Sequence, residues 1–183
     1  MVFGELKLNI TIETFLAQIE KKAYRMAEIS TQNSSDALDL VQDAMIKLVE
    51  KYSDKPSDQW KPLFYRILQN RITDHHRSKT IQRKIFFWKN THQEDEEFED
   101  NITRASDHIT PEREVVGQKN IEKIMQTLKI LPRRQQQCFM LRSWEGLSVK
   151  ETALAMGCSD GSVKTHYSRA REALKRALEE EMF

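Results

Sequence analysis

Apolar residues return every three or four positions in the first half of the chain, as they do on one face of a helix. The clearest stretch is 35–52, where the repeating apolar positions are Leu38, Val41, Met45, Leu48 and Tyr52. Ser35 is the predicted N-cap of this helix. Similar stretches cover roughly 12–29 and, after a break at 53–58, about 60–78. The pattern therefore predicts a bundle of three or more helices.

The second half carries helix start and stop signals at short spacing. Thr110 and Pro111 are typical of a helix start, and the predicted helix runs to about 129. Another helix is predicted to begin at Pro132. Ser148 with Glu151 forms a capping box at the start of the next helix, which is expected to end at the glycine of position 157.

The last two predicted helices are expected to form a helix-turn-helix motif. Ser159 is predicted to cap the last helix, and the short Gly-Cys-Ser segment before it is typical of the turn in this motif. A small apolar core is expected between the two helices, formed by Ala153, Met156, Val163 and Ala170.

Composition supports an all-α fold. Hydrophobic residues make up 39% of the 183 positions, with only 5 Gly and 4 Pro, which is few for a sheet protein with many tight turns. Cys138 and Cys158 lack the spacing of a disulfide framework or a zinc site and are interpreted as small apolar residues. No apolar run is long enough for a membrane span, and the N-terminus lacks a signal-peptide pattern, so we expect a cytoplasmic protein without membrane insertion.

The formal net charge is only +1, but basic and acidic residues are concentrated in separate segments of the chain. Residues 60–90 and 132–176 are rich in lysine and arginine, whereas 91–116 is strongly acidic. The acidic stretch lacks apolar periodicity and is interpreted as a solvated linker. The prediction is two small helical domains joined by a flexible acidic linker.

The predicted last helix carries an outward face suited to DNA. In a helix-turn-helix, the second helix lies in the major groove and its N-terminal residues reach the base edges. Lysine and arginine can donate to guanine, while serine and threonine can meet several edges. The candidate residues are Ser162, Lys164, Thr165, Ser168, Arg169 and Arg171. A solvated helix in a protein-interaction hairpin is the alternative.

Two further surfaces in the first half have candidate functions. Aromatic residues alternate with basic ones from Trp60 to Trp88, a combination that can hold single-stranded nucleic acid by stacking. Trp60 is the better stacking candidate, whereas Phe64 is expected in the core. An acidic face that includes Asp39 and Asp43 is either solvated or a docking surface for a basic partner.

The sequence favours no enzyme, cofactor or metal. The five histidines lack metal-ligand spacing, and there is no Gly-rich phosphate loop or nucleophile elbow. The clustered carboxylates at 94–100 fall in the predicted linker, so they are not expected to face each other across a cleft.

Three sequence motifs, which follow one another along the chain, resemble motifs of one protein family. "DALDLVQDAMIKLVEKY" (36–52) resembles sigma factor region two, and "WKPLFYRILQNRITDHHRSK" (60–79) is similar to its melting and minus-10 segment. "LPRRQQQCFMLRSWEGLSVKETALAMGCSDGSVKTHYSRAREAL" (131–174) resembles region four. On these motifs the chain is identified as a member of the extracytoplasmic-function (ECF) group of the sigma-70 family.

The resemblance implies an alternative sigma factor that binds core RNA polymerase, directs it to promoter DNA and assists melting. It implies region two at 1–85, a linker at 86–110 and region four at 111–183. Asp39, Gln42 and Asp43 would dock on core polymerase. The minus-10 element would be held near loop 53–59 by Trp60, Asn70, Arg71 and Arg77.

The same resemblance assigns minus-35 reading to the outward residues of the last helix and implies an anti-sigma factor as a partner. His166 and Tyr167 depart from the residues common in relatives, and 85–90 has no counterpart that can be placed. Two alternatives remain open: a helix-turn-helix regulator acting without core polymerase, and a helical interaction protein.

Overall fold

The computed structural model describes residues 11–89 and 112–179, with side chains described for 11–82 and 120–179. These residues form helices without strands, which confirms the all-α prediction. The elements are α1 (Ile12–Thr31), α2 (Ser34–Tyr52), α3 (Ser57–Lys89), α4 (Glu112–Ile130), α5 (Arg133–Phe139), a π-helical turn (Met140–Trp144), α6 (Val149–Met156) and α7 (Asp160–Glu179). Within the described ranges, every helix is too short or too polar to cross a membrane.

Helices α1 to α3 form the first helical unit. Its fully buried side chains come from all three helices and include Met26, Leu48 and Phe64, so the predicted three-helix bundle is confirmed. The N-cap of α2 is Asn33, not Ser35 as predicted, because the extended backbone at Asn33 lets its Oδ1 accept from the Asp36 amide at 2.9 Å.

Helix α3 is longer than predicted at both ends. It begins at Ser57 and continues through Lys89, so the first residues of the predicted linker, 86–89, are helical. The segment 73–80 is entirely polar, but contacts with α2 hold it. Lys79 Nζ lies 2.7 Å and His75 Nε2 3.4 Å from the Asp36 carboxylate.

Helices α4 to α7 form the second helical unit, and its turns follow the predicted signals. Ser148 Oγ accepts from the Glu151 amide at 3.2 Å, and the Glu151 carboxylate accepts from the Ser148 amide at 2.7 Å. These bonds hold the pKa of Glu151 below its usual value. Gly157 ends α6 with a φ of +61°, and Ser159 Oγ accepts from the Ser162 amide at 3.2 Å. Thr110 and Pro111 lie outside the described residues.

The apolar core between α6 and α7 is also confirmed. Its predicted members Ala153, Met156, Val163 and Ala170 are all buried. Cys138 packs in the same core and its Sγ donates to the Val163 carbonyl at 3.2 Å. Burial raises the pKa of Cys138 to about 11, which fits its interpretation as a small apolar residue.

We expect Ser148→Ala to lower the free energy of unfolding of the second helical unit by about 1 kcal/mol, because the Glu151 amide loses its capping oxygen. Urea unfolding followed by circular dichroism measures this change. Ser168→Ala is the control, since Ser168 is exposed inside α7 and alanine is the better helix former. Equal destabilisation by both substitutions would contradict the capping role.

Candidate nucleic-acid interface

The outward face of α7 contains the residues that the sequence proposed for DNA reading. Val163, Ala170 and Leu174 turn inward and are buried, which leaves the opposite half of the helix to solvent. Lys164, Thr165, Ser168, Arg169 and Arg171 are exposed, and Ser162 is half-buried. The structure therefore brings all six candidates onto one helix.

Two of these six side chains form local hydrogen bonds, one within α7 and one with the residue that caps it. Thr165 Oγ1 donates to the Gly161 carbonyl at 3.0 Å, and Ser162 Oγ shares a hydrogen bond with Ser159 Oγ at 2.9 Å. By contrast, no ion pair within 11–82 and 120–179 involves Lys164 or Arg169. Together with Arg171, these two cations give the face its positive charge.

Tyr167 positions arginines at the edge of this face. The guanidinium carbons of Arg142 and Arg171 lie 5.6 and 5.8 Å from the centre of its ring, within the range of a cation–π interaction. The hydroxyl shares a 2.9 Å hydrogen bond with Ser143 Oγ, and the ring stacks on Phe139. Sequence reasoning noted Tyr167 only as a departure from relatives. Its partner Arg142 lies on another element, whereas Arg171 lies one turn later on α7 and could have been identified from helical spacing.

A second basic surface lies on α3. Asn70 and Arg77 are exposed and lie two helical turns apart on the same side. Arg66, also exposed, lies one turn before Asn70 and was missed by sequence reasoning. The amphipathic period of the helix would have identified it, since Arg66 falls opposite the buried residues Phe64 and Leu68.

Trp60 does not belong to this surface. Its side chain is buried, with 7% of the residue exposed. The indole Nε1 donates to the Tyr52 carbonyl at 3.1 Å, and the ring lies 5.8 Å from that of Phe15. In this arrangement Trp60 is a core residue of the first helical unit, so it is not available to stack on a base. Phe64 is fully buried, as expected.

Arg71 is turned toward α2 and away from the Asn70 side. Its Nη2 lies 3.8 Å from Asp43 Oδ2 in a partly exposed ion pair. One residue predicted to hold the minus-10 element therefore contacts one predicted to dock on polymerase. The structure brings Asn70 and Arg77 together but separates them from Trp60 and Arg71.

The outer face of α2 is a mixed acidic and apolar surface. Asp39, Gln42 and Asp43 are all exposed, as a docking surface requires. Large apolar side chains are exposed on the same helix: Leu38 (46%), Ile46 (56%) and Val49 (40%). Leu38 was expected to belong to the buried stripe, which was wrong. Clustered exposed apolar residues with a polar rim mark interaction surfaces.

Comparisons with known families agree with this layout. Residues 11–81 match the family described as sigma-70 region 2, and residues 121–174 match sigma-70, region 4. The chain is 34% identical over 146 residues to RNA polymerase sigma factor NccH of Alcaligenes xylosoxydans xylosoxydans, which covers 79% of this chain and 74% of the relative. The chain belongs to the sigma-70 family of RNA polymerase sigma factors.

A second relative specifies the group. This sigma factor is 26% identical over 165 residues to ECF RNA polymerase sigma factor SigD of Mycobacterium tuberculosis, a match that covers 90% of this chain and 72% of SigD. The chain is thus an alternative sigma factor of the ECF group, as its motifs predicted. We refer to α1–α3 as region two and to α4–α7 as region four.

Solved structures confirm the fold. Sigma factor RpoE of Bartonella quintana, solved in complex with the anti-sigma factor NepR, has a TM-score of 0.59 at 22% identity. That match covers 91% of this chain and 98% of RpoE. CnrH, solved in complex with the cytosolic domain of CnrY, has a TM-score of 0.57 at 19% identity, with 92% and 87% covered.

Proposed function

We propose that this sigma factor binds core RNA polymerase through the outer face of α2 and directs it to promoters that α7 and α3 contact. The observation that carries the proposal is the order of surfaces along one chain: a mixed acidic and apolar docking face in region two, and an exposed cationic reading helix in region four. The protein acts in the cytoplasm, without catalysis of its own, by lending base recognition to the polymerase.

The reading of the minus-35 element is supported by the geometry of α7. A recognition helix enters the major groove and presents its N-terminal residues to base edges. Lys164 and Arg169 are exposed cations in that half of α7 and can donate to guanine. Tyr167 supports Arg171 by a cation–π contact, which keeps a third cation close to the groove.

Capture of the minus-10 element is assigned to the exposed side of α3. Arg66 and Arg77 can neutralise phosphates, and the amide of Asn70 between them can donate to and accept from an unpaired base. Trp60 contributes indirectly, since its indole packs α3 against α1 through Phe15. Holding this unpaired strand assists melting of the duplex, and the polymerase provides the remaining contacts to the promoter.

An anti-sigma factor is a further proposed partner. Both structural neighbours were solved in complex with a partner protein, and that of RpoE is named an anti-sigma factor. The exposed apolar residues of α2 offer a binding surface to such a regulator as well as to core polymerase.

The function is tested by mixing the purified full chain with bacterial core polymerase and separating the products by gel filtration. We expect co-elution, and transcription from a subset of a random promoter pool only when both components are present. Tight and sequence-specific binding of duplex by the free chain, without co-elution, would instead favour a regulator that acts alone.

We expect Arg169→Ala to weaken binding of the assembled holoenzyme to a cognate upstream element by about 1–3 kcal/mol, if Arg169 reads guanine. Electrophoretic mobility shifts on cognate and single-base variant sites measure both affinity and specificity.

Arg176→Ala is the matched control, because Arg176 is an exposed arginine of the same helix that pairs with Glu172. Unchanged affinity in Arg169→Ala would remove Arg169 from the reading set. Uniform weakening on every site, with a smaller salt dependence, would reassign it to a phosphate.

A further inference from the structure

Tyr167 connects two arginines that lie on different elements of region four. Arg142 belongs to the π-helical turn, and its guanidinium carbon lies 5.6 Å from the centre of the Tyr167 ring. Arg171 belongs to α7, and its guanidinium carbon lies 5.8 Å from the same centre. Because each distance is within the cation–π range of about 6 Å, the two positive charges are at most roughly 12 Å apart. We call these three residues the Tyr167 cluster.

The Tyr167 ring is itself fixed to the segment that carries Arg142. Its hydroxyl shares a 2.9 Å hydrogen bond with Ser143 Oγ, and the ring stacks on Phe139 with the ring centres 6.3 Å apart. Ser143 lies beside Arg142 in the π-helical turn, and such turns are frequent at functional sites. The ring therefore gives both guanidinium groups a surface that is held in one orientation.

Arg142 is held next to the start of α6, the first helix of the helix-turn-helix. Its Nη1 donates to the Leu147 carbonyl, directly before Ser148, the N-cap of α6. In this motif the first helix crosses the sugar–phosphate backbone while the second helix enters the groove. A guanidinium has five N–H donors, so the bond to Leu147 leaves most of them for another acceptor. The position of Arg142 therefore suits a backbone phosphate.

Arg171 also suits the backbone better than a base. It lies in the second half of α7, whereas the N-terminal residues of a recognition helix contact the base edges. Within residues 11–82 and 120–179, neither Arg171 nor Arg142 takes part in an ion pair. Glu172, the neighbour of Arg171, pairs instead with Arg176. Both positive charges of the Tyr167 cluster are thus available to an anion.

The spacing of the Tyr167 cluster fits the phosphates of one DNA strand. Phosphate charges on one strand follow each other every 3.4 Å or so along the helix axis, so two guanidinium groups within roughly 12 Å meet neighbouring phosphates. Arginine binds a phosphate through two parallel charge-assisted hydrogen bonds. Since the cluster adjoins the outward residues of α7, the anion that it meets is the strand beside the bases that α7 reads.

We propose that Tyr167 is a positioning residue, which presents Arg142 and Arg171 together to neighbouring phosphates of one strand beside the minus-35 element. This inference rests on the proposed function of α7, and it moves Arg171 from base reading to backbone contact. A guanidinium that already lies over a ring loses less side-chain freedom when it binds, so the ring strengthens both contacts without touching DNA.

The salt dependence of duplex binding tests the role of Tyr167. The purified full chain is titrated into a labelled duplex of arbitrary sequence at several salt concentrations, and fluorescence anisotropy gives the affinity. Each phosphate contact contributes about −0.9 to the slope of log K against log salt concentration. We expect Tyr167→Leu, which keeps an apolar side chain but removes the ring, to reduce the magnitude of the slope by about 1–2 and the low-salt affinity by about fivefold to thirtyfold. Tyr167→Phe keeps the ring and should retain most of the slope.

The two arginines show whether the ring acts through them. Arg142→Ala and Arg171→Ala should each reduce the magnitude of the slope by about 1, also if Tyr167→Leu fails to fold. In the variant that carries both alanines, adding Tyr167→Leu should change the slope no further. Arg176→Ala is the matched control, because this arginine of α7 pairs with Glu172 and should leave the slope unchanged.

The outcomes separate this inference from the proposed function. A wild-type slope in folded Tyr167→Leu, or in both single arginine variants, would overturn the role of the Tyr167 cluster, and so would a wild-type chain that does not bind duplex at low salt. Co-elution with core polymerase would still support the proposed function in each of these cases. Conversely, a reduced slope without any co-elution would retain the cluster and overturn the proposed function.

Discussion

Trp60→Ala is expected to destabilise region two by about 3–5 kcal/mol, the usual cost of truncating a large buried aromatic side chain. The indole is buried, packs near Phe15 and donates to the Tyr52 carbonyl, so its loss leaves a cavity and removes one of the two hydrogen bonds of that carbonyl, which also accepts from the Lys55 amide. The free energy of unfolding of a domain is generally only 5–15 kcal/mol, so this substitution should remove a large part of the stability of region two. Urea unfolding measured by far-ultraviolet circular dichroism gives the change directly.

Trp60→Phe is the matched control for this prediction. It keeps an aromatic ring near Phe15 and loses only the bond to Tyr52, so we expect a smaller cost of about 1–2 kcal/mol. The two partners of Trp60, Tyr52 and Phe15, both lie in region two. A Trp60→Ala protein with normal stability but lost single-strand binding would restore the stacking interpretation.

Local signals could be predicted from the sequence because their partners lie within a few residues. The capping box of Ser148 and Glu151 and the left-handed Gly157 depend on chemistry inside one turn, and both are present. The sequence also predicts which residues of α7 face outward, because the apolar residues recur at helical spacing and leave only the opposite face for DNA. The α7 candidates are therefore exposed as predicted, apart from the half-buried Ser162.

Tertiary contacts could not be predicted in this way. Trp60 follows a polar loop and looks exposed from its neighbours, but Phe15 on another helix covers it. The polar segment 73–80 of α3 lacks an apolar stripe, yet Asp36 of α2 pairs with Lys79 there. The pairing of Glu145 with Lys61 joins residues that no local pattern connects.

Exposed apolar residues illustrate a second limit of sequence reasoning. Leu38 falls in the expected stripe at helical spacing, and only the packing of α2 against its neighbours shows that the stripe excludes it. Ile46 and Val49 lie on the same outer face. The resemblance assigned docking to acidic residues of α2. The structure adds exposed apolar side chains on the same face, which only their exposed fractions could show.

The double substitution Asp39→Arg with Asp43→Arg is expected to weaken the association with core polymerase by about 3 kcal/mol, more than a hundredfold in Kd. Docking of an acidic face on a basic partner requires opposite charge, and reversal places like charges against each other. Both carboxylates are exposed, so the fold of region two should be retained. Fluorescence anisotropy of labelled sigma factor titrated with core polymerase measures the change.

Glu20→Arg separates a local docking effect from a change in overall charge, because Glu20 is exposed on α1 and not on α2. Asp39→Arg alone removes the complication that Asp43 also pairs with Arg71 of α3. If the docking face is correctly placed, Asp39→Arg should give a substantial part of the loss and Glu20→Arg almost none. Equal losses in these two single variants would mean that polymerase responds to the net charge of region two, and the contact would then have to be sought on another surface of region two.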